Sequence, residues 1–215
     1  MSATDVVWQS GRVWIGGPVG AVTRARFYGV DRIPATGGLV LAANHFSWLD
    51  PPLVGASCPR RIQFVAKIEA HRVPGLGQLI RAHGTLAIRR GESDRDAVRR
   101  MRAVVREGGV LGMFAEGTRQ KTGVPGPVQP GAAMVALQED VPVVPVAIHG
   151  TQHWTPRNLA PCSVAYGTPI SFEGLPRGGK GYREASDRIE QEIKRLWDWL
   201  VEIHAQGRRK GLTPP

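Results

Sequence analysis

The chain has 215 residues, with 28 Lys+Arg against 18 Asp+Glu, a formal charge of +10. One core suits this length, and 42% apolar with 21% charged residues excludes a disordered or collagen-like chain. Two cysteines, Cys58 and Cys162, are too few and too scattered for a disulfide framework or a cysteine-rich zinc site.

From the N-terminus, Met1–Asp5 shows no basic stretch leading into an apolar run, so no signal peptide is expected. Residues 1–23 carry Trp8, Arg12, Trp14 and Ile15, which suit an interfacial membrane anchor or, equally, packing on the domain's own core. Gly16-Gly17-Pro18 interrupts this segment, so only a short helix is expected. β-Rich runs predict strands over 24–30, 39–43, 62–66, 85–89, 110–114, 143–148 and 163–166. The longest apolar runs, 39–43 and 141–148, are far too short to span a bilayer.

A helix is predicted over 93–107. Its residues Ala97, Val98, Met101, Val104 and Val105 make one apolar stripe, capped by Ser93 or Asp94 and stopped by Gly108-Gly109. The opposite face is a basic strip of Arg95, Arg99, Arg102 and Arg106. A second helix, 181–206, places Ala185, Ile189, Ile193, Leu196, Leu200 and Ile203 on one face. Stretches 122–131 and 174–181 are rich in Gly and Pro and read as loops. The alternation predicts an α/β fold, a single domain with a mostly parallel sheet of about seven strands flanked by helices. Residues 24–206 form that domain, and 207–215 are expected to be a flexible basic tail.

Chemistry concentrates where strands end, because ligands of open α/β sheets bind beyond the carboxyl ends of the strands. The run 39–43 leads into Asn44-His45-Phe46-Ser47-Trp48-Leu49-Asp50. Asp50 before Pro51-Pro52 reads as a helix cap with proline in the first turn, close enough for its carboxylate to fix the His45 imidazole as a general base. The run 110–114 leads into Ala115-Glu116-Gly117-Thr118-Arg119. A glutamate for hydroxyls, a glycine for close backbone approach and an arginine for bidentate contact suit a polyol phosphate. Between them lies Gly84-Thr85-Leu86-Ala87-Ile88-Arg89-Arg90, and after them Val141–Ile148 with Pro142 and Pro145.

In this order, NHFSWLD, GTLAIRR, FAEGTR and VPVVPVAI resemble the glycerolipid acyltransferase family, of the 1-acylglycerol-3-phosphate acyltransferase type. The resemblance covers roughly residues 27–151. It implies that His45 is the general base and Asp50 its partner. Lys67, Arg90, Glu116, Gly117, Thr118 and Arg119 are implied to bind the acceptor, and Pro145 to shape the acyl region. Ala115 stands where the family usually has proline, Arg89 where an acidic residue is often seen, and Gln129 where a lysine is common. These departures bear on the acceptor's head group more than on the reaction.

The implied activity moves an acyl group from acyl-CoA or acyl-carrier protein to lysophosphatidic acid, giving phosphatidic acid, with no metal or cofactor and no covalent intermediate. Glycerol-3-phosphate or another lysolipid is the alternative acceptor. The implied location is cytoplasmic, peripheral on an anionic membrane. Lys67, Arg90 and Arg119 are then candidates for the acceptor phosphate. The 95–106 strip, Arg60-Arg61 and 208–210 are candidates for lipid headgroups, at roughly 1 kcal/mol per residue near the surface. Two remote readings stand beside it. Ser47 admits a serine hydrolase, although G-x-S-x-G is absent and Ser47 is too close in sequence to His45. The basic strip admits a nucleic-acid-binding module, although no recognition motif accompanies it, so nucleic acid is not an expected partner. His149 and His153 have a metal-ligand spacing only if helical, and adjoin a strand and Gly150.

Overall fold

In a computed structural model, residues 3–88 and 95–215 are described. Seven strands form one sheet among these residues, in the order β1-β7-β6-β2-β5-β3-β4. They are β1 (Arg26–Tyr28), β2 (Leu39–Ala43), β3 (Ile62–Lys67), β4 (Leu86–Ile88), β5 (Val110–Phe114), β6 (Val143–His149) and β7 (Ser163–Tyr166). β6 and β7 are antiparallel and the other neighbours parallel. The expected α/β sheet is thus present, with each predicted strand found, those over 39–43, 110–114 and 163–166 at the predicted bounds and the others with shifted ends.

β2 is central because all five of its residues are apolar and buried, as a strand covered on both faces requires. On one face, Leu39, Leu41 and Ala43 pack with Leu49, Leu53 and Val54 of the segment that forms α3 (Asp50–Ser57), and with Trp8. On the other face, Val40 and Ala42 meet α6 (Arg95–Arg106), α7 (Gly131–Glu139) and α8 (Gly179–Ala205). The apolar stripes foreseen for α6 and α8 are buried as expected. α6 ends as its glycines dictate: Gly108 has φ +79, while Gly108 N–H and Gly109 N–H return to Val105 O and Val104 O. Ser93 and Asp94, the candidate caps, lie outside the described residues.

Three expectations are corrected. Gly16-Gly17-Pro18 does not break the N-terminal helix. α1 (Ala3–Gly11) continues through a π turn (Arg12–Gly16) into α2 (Gly17–Val22). Gly17 N–H bonds Arg12 O, five residues back, which closes the wider turn, and Pro18 sits in the first turn of α2, where its missing N–H costs least. Gly16 is needed for packing, since a Cβ there would lie 2.6 Å from Ala56 Cβ. Secondly, the tail is docked, not free. Arg32 bonds Pro214 O and Pro215 O, Tyr28 Oη donates to Arg209 O, and Arg208 donates to Arg24 O and Cys162 O. Thirdly, Arg60 is no headgroup ligand: its guanidinium is occupied by Pro34 O, Gly37 O and Gly108 O, at the edge where β2 and β5 begin. No helix among the described residues is long and apolar enough to cross a membrane.

At the far end of β6, His149 packs edge-on to His204 with ring centroids 4.4 Å apart. His204 Nε2 lies 2.9 Å from Ser163 Oγ, and His149 Nδ1 lies 3.2 Å from Gln152 Nε2. Burial, with His153 nearby, pushes His149 down to about 4. Burial, with His149 and Arg208 nearby, pushes His204 down to about 3. The unfolded state takes up these protons near pH 6.5, so stability is full above that pH and falls as pH drops below it. His204→Gln is expected to reduce the loss of urea stability between about pH 7.5 and about pH 5; an unchanged loss would show that His204 does not withhold a proton.

Candidate active site

β2 delivers its next residues to the carboxyl edge of the sheet. Asn44, fully buried, donates from Nδ2 to Ile148 O at 3.0 Å and accepts from Ile148 N–H at 2.7 Å. A side-chain amide thereby extends the β2–β6 ladder past its last backbone pair and fixes the exit of the polypeptide from the sheet. His45 follows. Its Nδ1 lies 2.8 Å from Asp50 Oδ2, with Asp50 completely buried and the imidazole 18% exposed. The same oxygen accepts Phe46 N–H at 2.7 Å and Ser47 N–H at 2.8 Å.

Asp50 opens α3 instead of capping it, since Leu49 holds the N-cap place. Its carboxylate turns back to the loop, while the helix N-terminus favours its charge. The predicted pair therefore forms, through a different local geometry. Phe114 stacks on His45 with centroids 4.0 Å apart, leaving Nε2 as the imidazole atom without a bond among the described residues. Ser47 Oγ accepts Leu49 N–H at 3.3 Å and is not bonded to His45, which removes the arrangement a serine nucleophile needs.

The second motif comes from β5. Glu116 is 5% exposed; its Oε2 accepts His45 N–H at 2.9 Å and its Oε1 accepts Gly126 N–H at 2.8 Å. Burial pushes its carboxyl up to about 7, against the opposing pull of those two N–H groups. The motif's residue types place Glu116 against acceptor hydroxyls, yet its carboxylate is engaged by the backbone. Gly117 has φ +71, so its freedom serves the turn after β5. Thr118 and Arg119 are exposed, and Arg119 has no ion-pair partner among the described residues. Lys67 is exposed at the end of β3, whose parallel neighbours are β5 and β4, so it stands on the same edge. Arg90 lies outside the described residues.

Beside the dyad is a cavity of about 260 Å³ with almost wholly apolar walls. Pro51, Pro52, Gly55 and Ala56 of α3 form one wall, and the N-terminal helix another. Phe64, Leu76, Leu79 and Ile80 close it; the last three belong to α5 (Leu76–Ala82), which follows the short α4 (Ile68–Arg72). Phe64 stacks 6.0 Å from Phe114, so an aromatic row links the cavity wall to His45. Trp48, on the loop between β2 and α3, lines the cavity and is 67% exposed. Residue types alone assign no role to Asn44, Phe114, Gln120 or the α4–α5 segment. An amide directly after a fully apolar strand is the one available signal, for Asn44.

The acyltransferase family model matches residues 24–149. The chain belongs to the acyltransferase family. It is 27% identical over 126 residues to the 1-acyl-sn-glycerol-3-phosphate acyltransferase of Bacillus subtilis, covering 58% of this chain and 62% of that protein. It is 35% identical over 124 residues to the lyso-ornithine lipid O-acyltransferase of Pseudomonas aeruginosa, covering 57% of this chain and 47% of that protein. The chain thus spans less than two thirds of the length of these curated relatives. The crystal structure of the 1-acyl-sn-glycerophosphate acyltransferase PlsC from Thermotoga maritima shares this fold, with a TM-score of 0.69 at 24% identity over 90% of this chain and 81% of that one. The family's matched segment contains His45, Asp50, Lys67, Glu116 and Arg119.

Asp50→Ala leaves Phe46 N–H, Ser47 N–H and His45 Nδ1 without their acceptor, at about 1–3 kcal/mol for a buried orphan. Urea unfolding is expected to show a loss of at least about 2 kcal/mol, whereas Ser47→Ala should stay within about 1 kcal/mol of the parent.

Proposed function

We propose that the protein transfers an acyl group from a thioester, acyl-CoA or acyl-carrier protein, to the free hydroxyl of lysophosphatidic acid. The observation that carries this reading is the His45–Asp50 pair, with Nε2 free of a bond among the described residues and with Trp48, Pro51 and Pro52 of the same loop and helix lining an apolar cavity. Asp50 holds the proton on Nδ1, which leaves Nε2 as the acceptor for the hydroxyl proton. The alkoxide character that develops attacks the thioester carbonyl, and His45 returns the proton to the departing thiolate. No covalent enzyme intermediate is required, in keeping with the engagement of Ser47 in its own turn. The cavity suits an acyl tail because its walls offer apolar surface and almost no polar partner.

Lys67 and Arg119, both exposed at the carboxyl edge of neighbouring strands, suit the acceptor's phosphate, and Arg90 follows β4 in the sequence. A phosphate between such cations fixes the hydroxyl in place and converts collision into proximity. The likeness to a lyso-ornithine lipid acyltransferase makes that lipid the acceptor to set against lysophosphatidic acid.

A peripheral position on the bilayer completes the reading. Trp8 is buried in the core and is no anchor. Trp48, Leu76 and Leu79 form an exposed apolar rim on the cavity, and Val13 and the 78% exposed Trp14 stand on the N-terminal segment whose Arg12 and Ile15 line it. Tryptophan at such a rim suits the membrane interface.

Purified protein with labelled acyl-CoA and a panel of lysophosphatidic acid, glycerol-3-phosphate and lyso-ornithine lipid tests the reaction. Transfer to lysophosphatidic acid is expected, reduced by about 100- to 10,000-fold in His45→Ala. Transfer that survives in His45→Ala, or a preference for lyso-ornithine lipid, overturns the mechanism or the acceptor respectively. The paired change Trp14→Ser with Trp48→Ser is expected to weaken binding to anionic phosphatidylglycerol vesicles by about tenfold or more. Unchanged binding in a flotation assay would remove these side chains from the interface.

A further inference from the structure

Glu116 belongs to a motif whose residue types suggest acceptor binding, yet its surroundings are those of an internal brace. A carboxylate offers only acceptor sites, and here each oxygen already holds a backbone N–H: His45 on Oε2 and Gly126 on Oε1. With 5% exposure, little surface remains for a substrate hydroxyl.

The opposite side of the same peptide segment is held as well, because Gln120 N–H donates to His45 O at 2.7 Å. His45 is therefore fixed in three ways: imidazole by Asp50, backbone N–H by Glu116, backbone carbonyl by Gln120. Gly126 is seated tightly in this arrangement, since a Cβ there would lie 2.7 Å from Gln120 Cδ. The loop closes on its far side through Gln129 N–H to Ala115 O at 2.8 Å.

We infer that Glu116 is a positioning residue: it holds the backbone of His45, ties it to the loop over 117–130, and does not touch the acceptor. That loop carries Arg119, so the group proposed to hold the phosphate and the base that takes the proton share one hydrogen-bonded frame. The inference rests on the general-base reading of His45. Replacing Glu116 by Gln keeps size but supplies only one acceptor oxygen for two N–H groups. One tether must then be lost.

Three measurements on Glu116→Gln decide the matter. In acyl transfer, kcat is expected to fall about 10- to 100-fold, as for a displaced catalytic group, with KM for lysophosphatidic acid within about twofold. In a His45→Ala background, with no acyl donor present, calorimetric Kd for lysophosphatidic acid is expected to be the same with Glu116 or Gln. In nitrogen-labelled histidine NMR, the downfield Nδ1 proton that His45→Ala removes is expected to shift or broaden. A Kd raised tenfold or more in the His45→Ala background, or an unchanged kcat, places Glu116 on the acceptor or out of the mechanism and overturns the inference. If the parent protein transfers no acyl group, the general-base reading fails, while an unmoved NMR signal still overturns the brace on its own. Should Glu116→Gln not fold, Gln120→Ala removes the side chain against which Gly126, the partner of Glu116 Oε1, is seated and is expected to lower kcat about 3- to 10-fold with KM unchanged; a wild-type kcat there overturns it.

Discussion

Asp50 Oδ2 gathers His45 Nδ1, Phe46 N–H and Ser47 N–H inside a site with no exposure of the aspartate side chain. A buried carboxylate survives only while its donors compensate for lost hydration. That requirement folds the short connection back on itself and fixes where α3 begins. It also decides what lies next to the base, because Pro51, Pro52, Gly55 and Ala56 of that helix form a wall of the apolar cavity. The dyad and this wall are consequently one rigid piece, held to the sheet by Asn44 on Ile148.

The sheet was largely legible from sequence because its central strands are unbroken apolar runs, and α6 and α8 because their stripes repeat at helical spacing. α7 escaped for the opposite reason: Gly131–Glu139 is apolar nearly all round, and a helix buried on most sides shows no stripe to read. The α4–α5 segment is too short and too interrupted by Pro74 and Gly75 for periodicity to speak. At the N-terminus, local chemistry argued for a break at Gly16–Pro18, and close packing of Gly16 on Ala56 outweighed it. In the site, residue types revealed His45, Asp50, Glu116 and Arg119 as functional candidates. They did not reveal which partners the acidic groups choose. Glu116 is the clearest case, since its donors are backbone groups that no side-chain pattern displays.

The charge of +10 also divides differently once partners are known. Arg102 and Arg106 of the basic strip both pair with Glu139, tying α6 to α7, and these donors hold the Glu139 carboxyl below its usual range. Arg99 faces Asp96. Arg60 and Arg208 serve backbone carbonyls. Arginine suits these tasks because its planar fork reaches several acceptors at once. Part of the apparent polyanion signature is therefore internal scaffolding.

β1 stands at the edge of the sheet, and Arg26–Tyr28 pairs with Ser163–Ala165, far along the sequence. The tail then lies across it through Tyr28, Arg32 and Arg208. On a ribosome, which delivers the N-terminal part first, β1 emerges early and has no strand to join until β7 has been made. Closing so long a loop is entropically costly and slow, and an unpaired edge invites foreign strands meanwhile. Of the strands in this sheet, the one synthesised first is thus completed last, and residues 208–215 act as its cover.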